Sequence, residues 1–375
     1  MNDFREPTAV VDIDKVRKNI RRMKRRLDVA GVRFRPHFKT HQSADIGKIF
    51  AEEGIQAITV SSVTMAHYFA RAGWKDITIA FPLNLRELDR ILSLPDPVVP
   101  GLLISDPQTA AISLPQPLLK RAVFWIELDT GHGRSGLPAA DFPRIHSVVK
   151  SLLQAGASLK GFLFHDGHTY VASSIDVIRS IRLHTLRLIA DLKDFLRKQF
   201  PGQSFVFSGG DTPSCSHDLP MEGIDEMRPG NFVFYDLQQL LLGSCLASDI
   251  ALSVYCPVVA SYPKQHRAVI YGGAIHLSKD KMTVNGQTIY GLVCSEEMQS
   301  ALIPPPLNHA PFLTSLSQEH GVISGNPEQI RGLIIGTEAR IIPVHSCLVV
   351  SQMSYLVSKD GIIFETLGGQ YRRKD

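Results

Sequence analysis

The β-rich run Ala122-Val-Phe-Trp-Ile-Glu-Leu128 leads into the glycine-rich Asp129-Thr-Gly-His-Gly-Arg-Ser-Gly136. The helix-like Pro138–Gln154 comes next, and then the β-rich Leu159-Lys-Gly-Phe-Leu-Phe-His165. Together they read as one strand–loop–helix–strand unit, and the same alternation extends in both directions. Towards the N-terminus the β-rich runs are Arg33–Phe38, Gln56–Ser61, Asp76–Phe81 and Val98–Ser105; towards the C-terminus they are Ser204–Ser208 and Met227–Tyr235. Helical patterns at Val63–Ala72, Leu85–Leu92 and Ser174–Phe200 lie between them. Eight strands in β–α alternation predict a parallel α/β barrel of the TIM type in preference to an open doubly wound sheet. No Gly-x-Gly-x-x-Gly follows the first strand, which speaks against dinucleotide binding.

From about residue 248 the texture changes. Ile250–Val259, Arg267–Tyr271, Gln287–Cys294, Ala339–Pro343, Leu348–Gln352 and Tyr355–Val357 are short and β-rich, and Lys359-Asp360-Gly361 reads as a hairpin turn into Ile362–Thr366. Thr8–Ile13 is a candidate strand of the same domain. The expected division is a barrel over residues 14–247 and a mostly β domain over 248–375, joined by a strand from residues 1–13. Pro304-Pro305-Pro306 reads as a stiff loop.

The bulk numbers fit a large globular enzyme. The chain has 375 residues, 44% hydrophobic and 20% charged, with a formal charge of only +4. The basic run Lys15–Arg26 carries Val16, Ile20 and Met23 at helical spacing, continued by Leu27, so it reads as an amphipathic helix with a solvated basic face rather than a nucleic-acid or membrane patch. Cys215, Cys245, Cys256, Cys294 and Cys347 form no paired framework and no Cys-x-x-Cys. With no signal-peptide pattern and no run of about 20 apolar residues, a cytoplasmic protein is expected.

Active sites of such barrels lie on the loops after the strands. The first strand ends in Arg35-Pro-His-Phe-Lys39-Thr-His41. A lysine there points into the barrel mouth, where burial disfavours its charge and makes it a nucleophilic amine; a solvated strand-end lysine is the alternative. After the fifth strand, Arg134 offers a donor fork to an anionic oxygen, or pairs with Asp129. After the sixth, His165, His168 and Tyr170 crowd one loop, as a cofactor wall or, on a weaker reading, a metal site. After the seventh, Gly210, Asp211 and Thr212 sit in a glycine and hydroxyl run of the kind that cradles phosphate, provided that the Asp211 carboxylate turns away. In the β domain His345 and Cys347 are two apart, so an extended chain puts both on one face, where they can hold zinc with open positions.

Together these residues resemble the eukaryotic-type D-serine dehydratases and their relatives, the D-threonine aldolases and D-threo-3-hydroxyaspartate dehydratases. These are pyridoxal phosphate (PLP) enzymes of fold type III with an alanine-racemase-like barrel. The resemblance is carried by Thr8–Asn19, Arg35–His41, Ile126–Gly136, Gly161–Tyr170, Ser208–Ser216, Glu226–Gln239, Ser317–Gly321 and Gly336–Val350, in order and spacing. It implies that Lys39 carries PLP, that Arg134 lies near the cofactor's phenolic oxygen, and that Tyr170 lies beside the ring. Gly210, Asp211 and Thr212 would belong to the phosphate loop, Tyr235 would lie near it, and His345 and Cys347 would hold zinc. Aldolases similar to these usually carry aspartate where Cys347 stands, which favours a PLP- and zinc-dependent dehydratase of D-serine or a related D-3-hydroxy amino acid. An aldolase releasing glycine and an aldehyde is the alternative, as is a PLP carrier without turnover. A homodimer acting on a small D-amino acid, with no nucleic acid or membrane partner, follows by analogy. The chain departs from the pattern at Asp211 (usually serine), Val344 (asparagine), Met65 (glutamate) and Tyr271-Gly-Gly-Ala274.

Overall fold

The structure, a computed structural model, describes residues 4–294 and 310–372. The chain divides into two compact units, residues 22–39 with 50–230, and residues 1–21 and 40–49 with 231–375.

The first unit is a closed barrel. Arg33–Phe34, Ala57–Val60, Asp76–Pro82, Val99–Ile104, Val123–Asp129, Ser158–Phe164, Val206–Gly209 and Glu226–Met227 are its eight strands, all parallel. The eighth pairs back onto the first, and a bridge from His37 to Thr59 joins first to second, so the sheet has no open edge. The first strand is shorter than the expected Arg33–Phe38, because Pro36 has no N–H to give to a ladder. Pairing resumes where Phe38 donates to the Thr59 carbonyl at 2.9 Å. The eighth strand also stops early. Pro229-Gly230 ends it, and Asn231–Val233 is a 3-10 turn where a strand to Tyr235 was expected.

Leu103, Trp125 and Leu163 fill the barrel, with Ala80 and Val206 against them. Each buried leucine stabilises by roughly 1.5–3 kcal/mol. Gly101 belongs to this packing: a Cβ there would stand 2.6 Å from Thr78 Oγ1 and 3.0 Å from Trp125 Nε1. Outside the strands, Phe38 is fully buried against Phe50, Phe69 and Trp74, with ring centroids 4.9, 4.9 and 5.0 Å away. That cluster fixes the backbone from which Lys39 projects.

In the second unit six antiparallel strands close on themselves in the order Leu252–Tyr262, Arg267–Tyr271, His320–Ser324, Phe312–Leu316, Gly291–Val293 and Glu338–Pro343. Thr8–Val11 joins as expected, antiparallel to Leu252–Tyr262 and parallel to Tyr355–Ser358. Tyr355–Ser358 and Ile363–Glu365 form the expected hairpin, with Gly361 at φ +82° in its turn. Leu348–Gln352 is not a strand. Ser346–Gln352 is a helix, because the Asp236 carboxylate accepts the Ser346 N–H at 2.9 Å and secures the first turn, overriding the β-branched Val349 and Val350. Pro304–Pro306 falls outside the described residues. Among the described residues no helix is long and apolar enough to cross a membrane.

Candidate active site and metal site

The loops after the first, fifth, sixth and seventh strands bring Lys39, Arg134, His165, Tyr170, Gly210 and Thr212 into one neighbourhood. Lys39 follows the anchored Phe38, and its N–H donates to His37 Nδ1 at 3.3 Å. Its side chain is exposed, so the burial anticipated from its position is not found. His37 is held well below the usual imidazole range, first by burial and then by the charges of Lys39, Arg228 and Arg134 and by His165. His165 is pushed down to about 3, again first by burial. The Gly210 carbonyl, which faces His165 Nδ1, opposes this, while Lys39, Arg134 and Arg228 add to it. With a carbonyl opposite, Nδ1 carries the proton and Nε2 keeps its lone pair. Burial and nearby positive charge therefore both favour the neutral form of these two histidines.

Arg228 was not singled out in the sequence. It is buried just past the eighth strand, donates to Ser208 Oγ at 2.6 Å and to the Phe164 carbonyl at 2.8 Å, and is lowered to about 10, chiefly by burial. A charged residue ending a short barrel strand was the available signal. Arg134 is exposed and Asp129 does not pair with it; Asp129 instead accepts the N–H groups of Gly131 and Gly133 at 2.9 and 3.0 Å, closing the turn.

Tyr170 stands 6.1 Å from His165, ring to ring, and its hydroxyl accepts the Thr212 N–H at 3.1 Å. His132 stacks on His168 at 6.2 Å. A Cβ on Gly167 would meet the His132 ring at 2.5 Å, so a side chain there requires His132 to shift. Asp211 does turn away. Its Oδ1 caps the Thr212–Ser216 helix through the Ser214 N–H at 2.6 Å and accepts the Thr169 hydroxyl at 3.1 Å, and its Oδ2 faces buried Arg182 at 3.5 Å. Burial, opposed by Arg182 and by hydrogen bonds from Ser214, sets its pKa at about 6. That leaves the buried Thr212 hydroxyl with no protein partner. A buried unpartnered hydroxyl on a loop of small residues, with Arg228 against Gly210, fits a phosphate group. Tyr235 belongs to the other unit, buried at a left-handed backbone position, φ +50°.

His345 and Cys347 meet in the second unit, though not on an extended chain: His345 is the N-cap residue of the Ser346–Gln352 helix and Cys347 lies in its first turn. Cys347 Sγ is 3.2 Å from Thr40 Oγ1, and His345 Nδ1 is 2.8 Å from Asp280 Oδ2. Burial lowers the His345 pKa, but Cys347, Asp280 and Asp236 outweigh it and lift it to about 11. Asp280 was missed by sequence reasoning; 65 positions from His345, it carried no local pattern. Next to it, buried Ser278 has φ +64° and ψ 177°, a region essentially reserved for glycine and costing about 1–3 kcal/mol. Among the described residues no group of three or more His, Cys, Asp and Glu stands at metal-holding geometry. A Cys–His pair with open positions is a donor set that suits zinc.

A closed parallel barrel with an antiparallel β barrel in the same chain is the architecture of the alanine racemases. The racemase of Corynebacterium glutamicum superposes with a TM-score of 0.62 at 15% identity, over 93% of this chain and 96% of that one. Residues 11–238 match the family model "Alanine racemase, N-terminal domain", and residues 251–358 match "Putative serine dehydratase domain". The D-threo-3-hydroxyaspartate dehydratase of Delftia sp. is 31% identical over 92% of both chains, and its solved structure superposes with a TM-score of 0.85 over 97% of both at 28% identity. A Cys-to-Ala variant of that enzyme is described in a metal-free form. The D-serine dehydratase of Dictyostelium discoideum is 27% identical over 98% of this chain and 96% of its own. The chain belongs to this family of D-serine and D-threo-3-hydroxyaspartate dehydratases, built on the alanine racemase N-terminal domain.

Proposed function

We propose that the chain is a PLP- and zinc-dependent lyase that dehydrates D-serine or a related D-3-hydroxy amino acid to a 2-keto acid and ammonia. The observation that carries this reading is the meeting of the barrel loops, where the Lys39 N–H rests on His37, His165 on the Gly210 carbonyl and the Tyr170 hydroxyl on the Thr212 N–H, with the Arg228 guanidinium buried among them. Such a pocket calls for an anionic partner, and a cofactor with a phosphate and a phenolic oxygen, together with a substrate carboxylate, supplies the charge. Bound there, PLP provides the electron sink that stabilises negative charge at the substrate Cα.

Lys39 Nζ takes the α-proton. The Arg134 guanidinium orients the phenolic oxygen. Tyr170 and His165 wall the ring, with His165 anchored through the Gly210 carbonyl. The Thr212 hydroxyl, with Gly210, holds the phosphate, while Asp211 is kept out of its way by Arg182. Tyr235 stays a cofactor contact proposed on the resemblance alone. His345 and Cys347 would hold zinc, whose Lewis acidity makes a β-hydroxyl a better leaving group; the metal-free Cys-to-Ala variant of the Delftia enzyme supports that pair. Residues 14–247 form the cofactor domain in this reading, and residues 248–375 with 1–13 the metal-bearing one.

A homodimer is proposed by analogy with the resembling family, to be checked by light scattering. The five cysteines are free and buried, which supports a reducing, cytoplasmic compartment. The deciding experiment incubates the protein with D-serine, D-threonine and D-3-hydroxyaspartate, with and without chelator. A 2-keto acid with ammonia, lost on chelation, is the expected result. Glycine with an aldehyde overturns it in favour of an aldolase, and bound PLP without any product makes the chain a carrier.

A further inference from the structure

We propose that Asp280 is a positioning residue of the metal site, holding His345 by Nδ1 so that Nε2 is presented to the metal. The inference rests on the reading of His345 and Cys347 as metal ligands. The Asp280 carboxylate lies 2.8 Å from His345 Nδ1, so Nδ1 is the donor, and when metal binding displaces the other ring proton the lone pair is that of Nε2. Histidines that bind metals characteristically donate their second ring nitrogen in this way, which fixes the tautomer and raises ligand basicity. Val344, the neighbour of His345, is apolar and buried and can give the ring no hydrogen bond from its side chain.

The place of Asp280 is built rather than incidental. The short helix Ala274–Leu277 packs on the Ser346–Gln352 helix that carries Cys347. The chain then turns through Ser278, in its glycine-like conformation, and the Ser278 hydroxyl accepts the Asp280 N–H at 3.2 Å. A half-exposed ion pair contributes too little to stability to justify that backbone strain. Strain retained beside an oriented ligand is what a functional constraint leaves behind.

The test measures Zn2+ affinity of the PLP-loaded protein by competition with a chromophoric chelator at fixed pH. Asp280→Ala is expected to weaken Zn2+ binding about 10–100-fold. Asp280→Asn keeps an acceptor oxygen and is expected to fall between wild type and Asp280→Ala, with the visible PLP absorbance and the thermal midpoint unchanged in both. Asp280→Ala binding Zn2+ within about twofold of wild type overturns the proposal. So does equal weakening by Asn and Ala with a lowered thermal midpoint, the mark of a merely structural role. If the wild-type protein takes up no Zn2+, the metal reading itself fails and this inference with it; normal uptake that is indifferent to Asp280 sinks the inference alone.

Discussion

The two candidate sites are electrostatic opposites. In the barrel, burial first and nearby positive charge second keep His37 and His165 neutral. In the β unit, His345 sits beside Cys347 and Asp280, which lift its pKa to about 11. One arrangement suits an anion, the other a cation. They also differ in assembly. The barrel site draws one or two residues from each of several strand ends, so closure of the sheet creates it. The metal pair comes from three consecutive residues at a helix start, and only its supporting groups arrive from elsewhere. Histidine serves both sites, and its neighbours decide which role it takes.

The comparison breaks most readily at Lys39. Lys39→Ala is expected to lower turnover by about 10²–10⁴-fold or more and to abolish the visible absorbance of bound PLP, followed by spectroscopy after gel filtration. Cys347→Ala, or chelation of the wild type, is expected to stop dehydration while that absorbance persists. Loss of both signals together would mean that the two sites are not chemically separable.

Arg182→Leu sharpens the picture of the barrel site, because it strands the Asp211 carboxylate in a buried position. A loss of about 3–5 kcal/mol in urea unfolding is expected, and adding Asp211→Asn should recover part of it. The same comparison is sharpened by the pH dependence of stability. His165 and His41 are each depressed from 6.5 to about 3, mainly by burial. Their contribution is full above pH 6.5 and is lost as pH falls towards 3, since the unfolded chain binds more protons there. Asp211, raised from 3.8 to about 6, acts in the opposite sense: its contribution is full below pH 3.8 and is lost as pH rises through 6. Urea midpoints between pH 7 and 3 should fall on acidification, and His41→Asn should flatten the decline.

Much of the barrel site was legible because strand-end loops carry their chemistry in short runs. The regions of Lys39, Arg134, His165–Tyr170 and Gly210–Thr212 could be picked out once the β–α alternation had been read. What escaped was every group whose role depends on a distant partner. Arg228 becomes part of the pocket only when the eighth strand closes onto the first. Asp211 looked hostile to a phosphate until Arg182, 29 positions earlier, was seen to hold it. The helix at Ser346–Gln352 read as a strand because its residues are β-branched, and Asp236 decided otherwise.

The sequence by itself determined the alternation of strands and helices, the change of texture near residue 248, and the adjacency of His345 and Cys347. All three are properties of short windows, where side-chain period and spacing act directly on the backbone. The tertiary structure alone decided that His37 and His165 are held neutral, that Asp211 turns from the loop, and that Asp280 lies against His345. Those outcomes depend on which buried charges find partners across many positions of chain, and in a low-dielectric interior the choice of partner fixes the charge state.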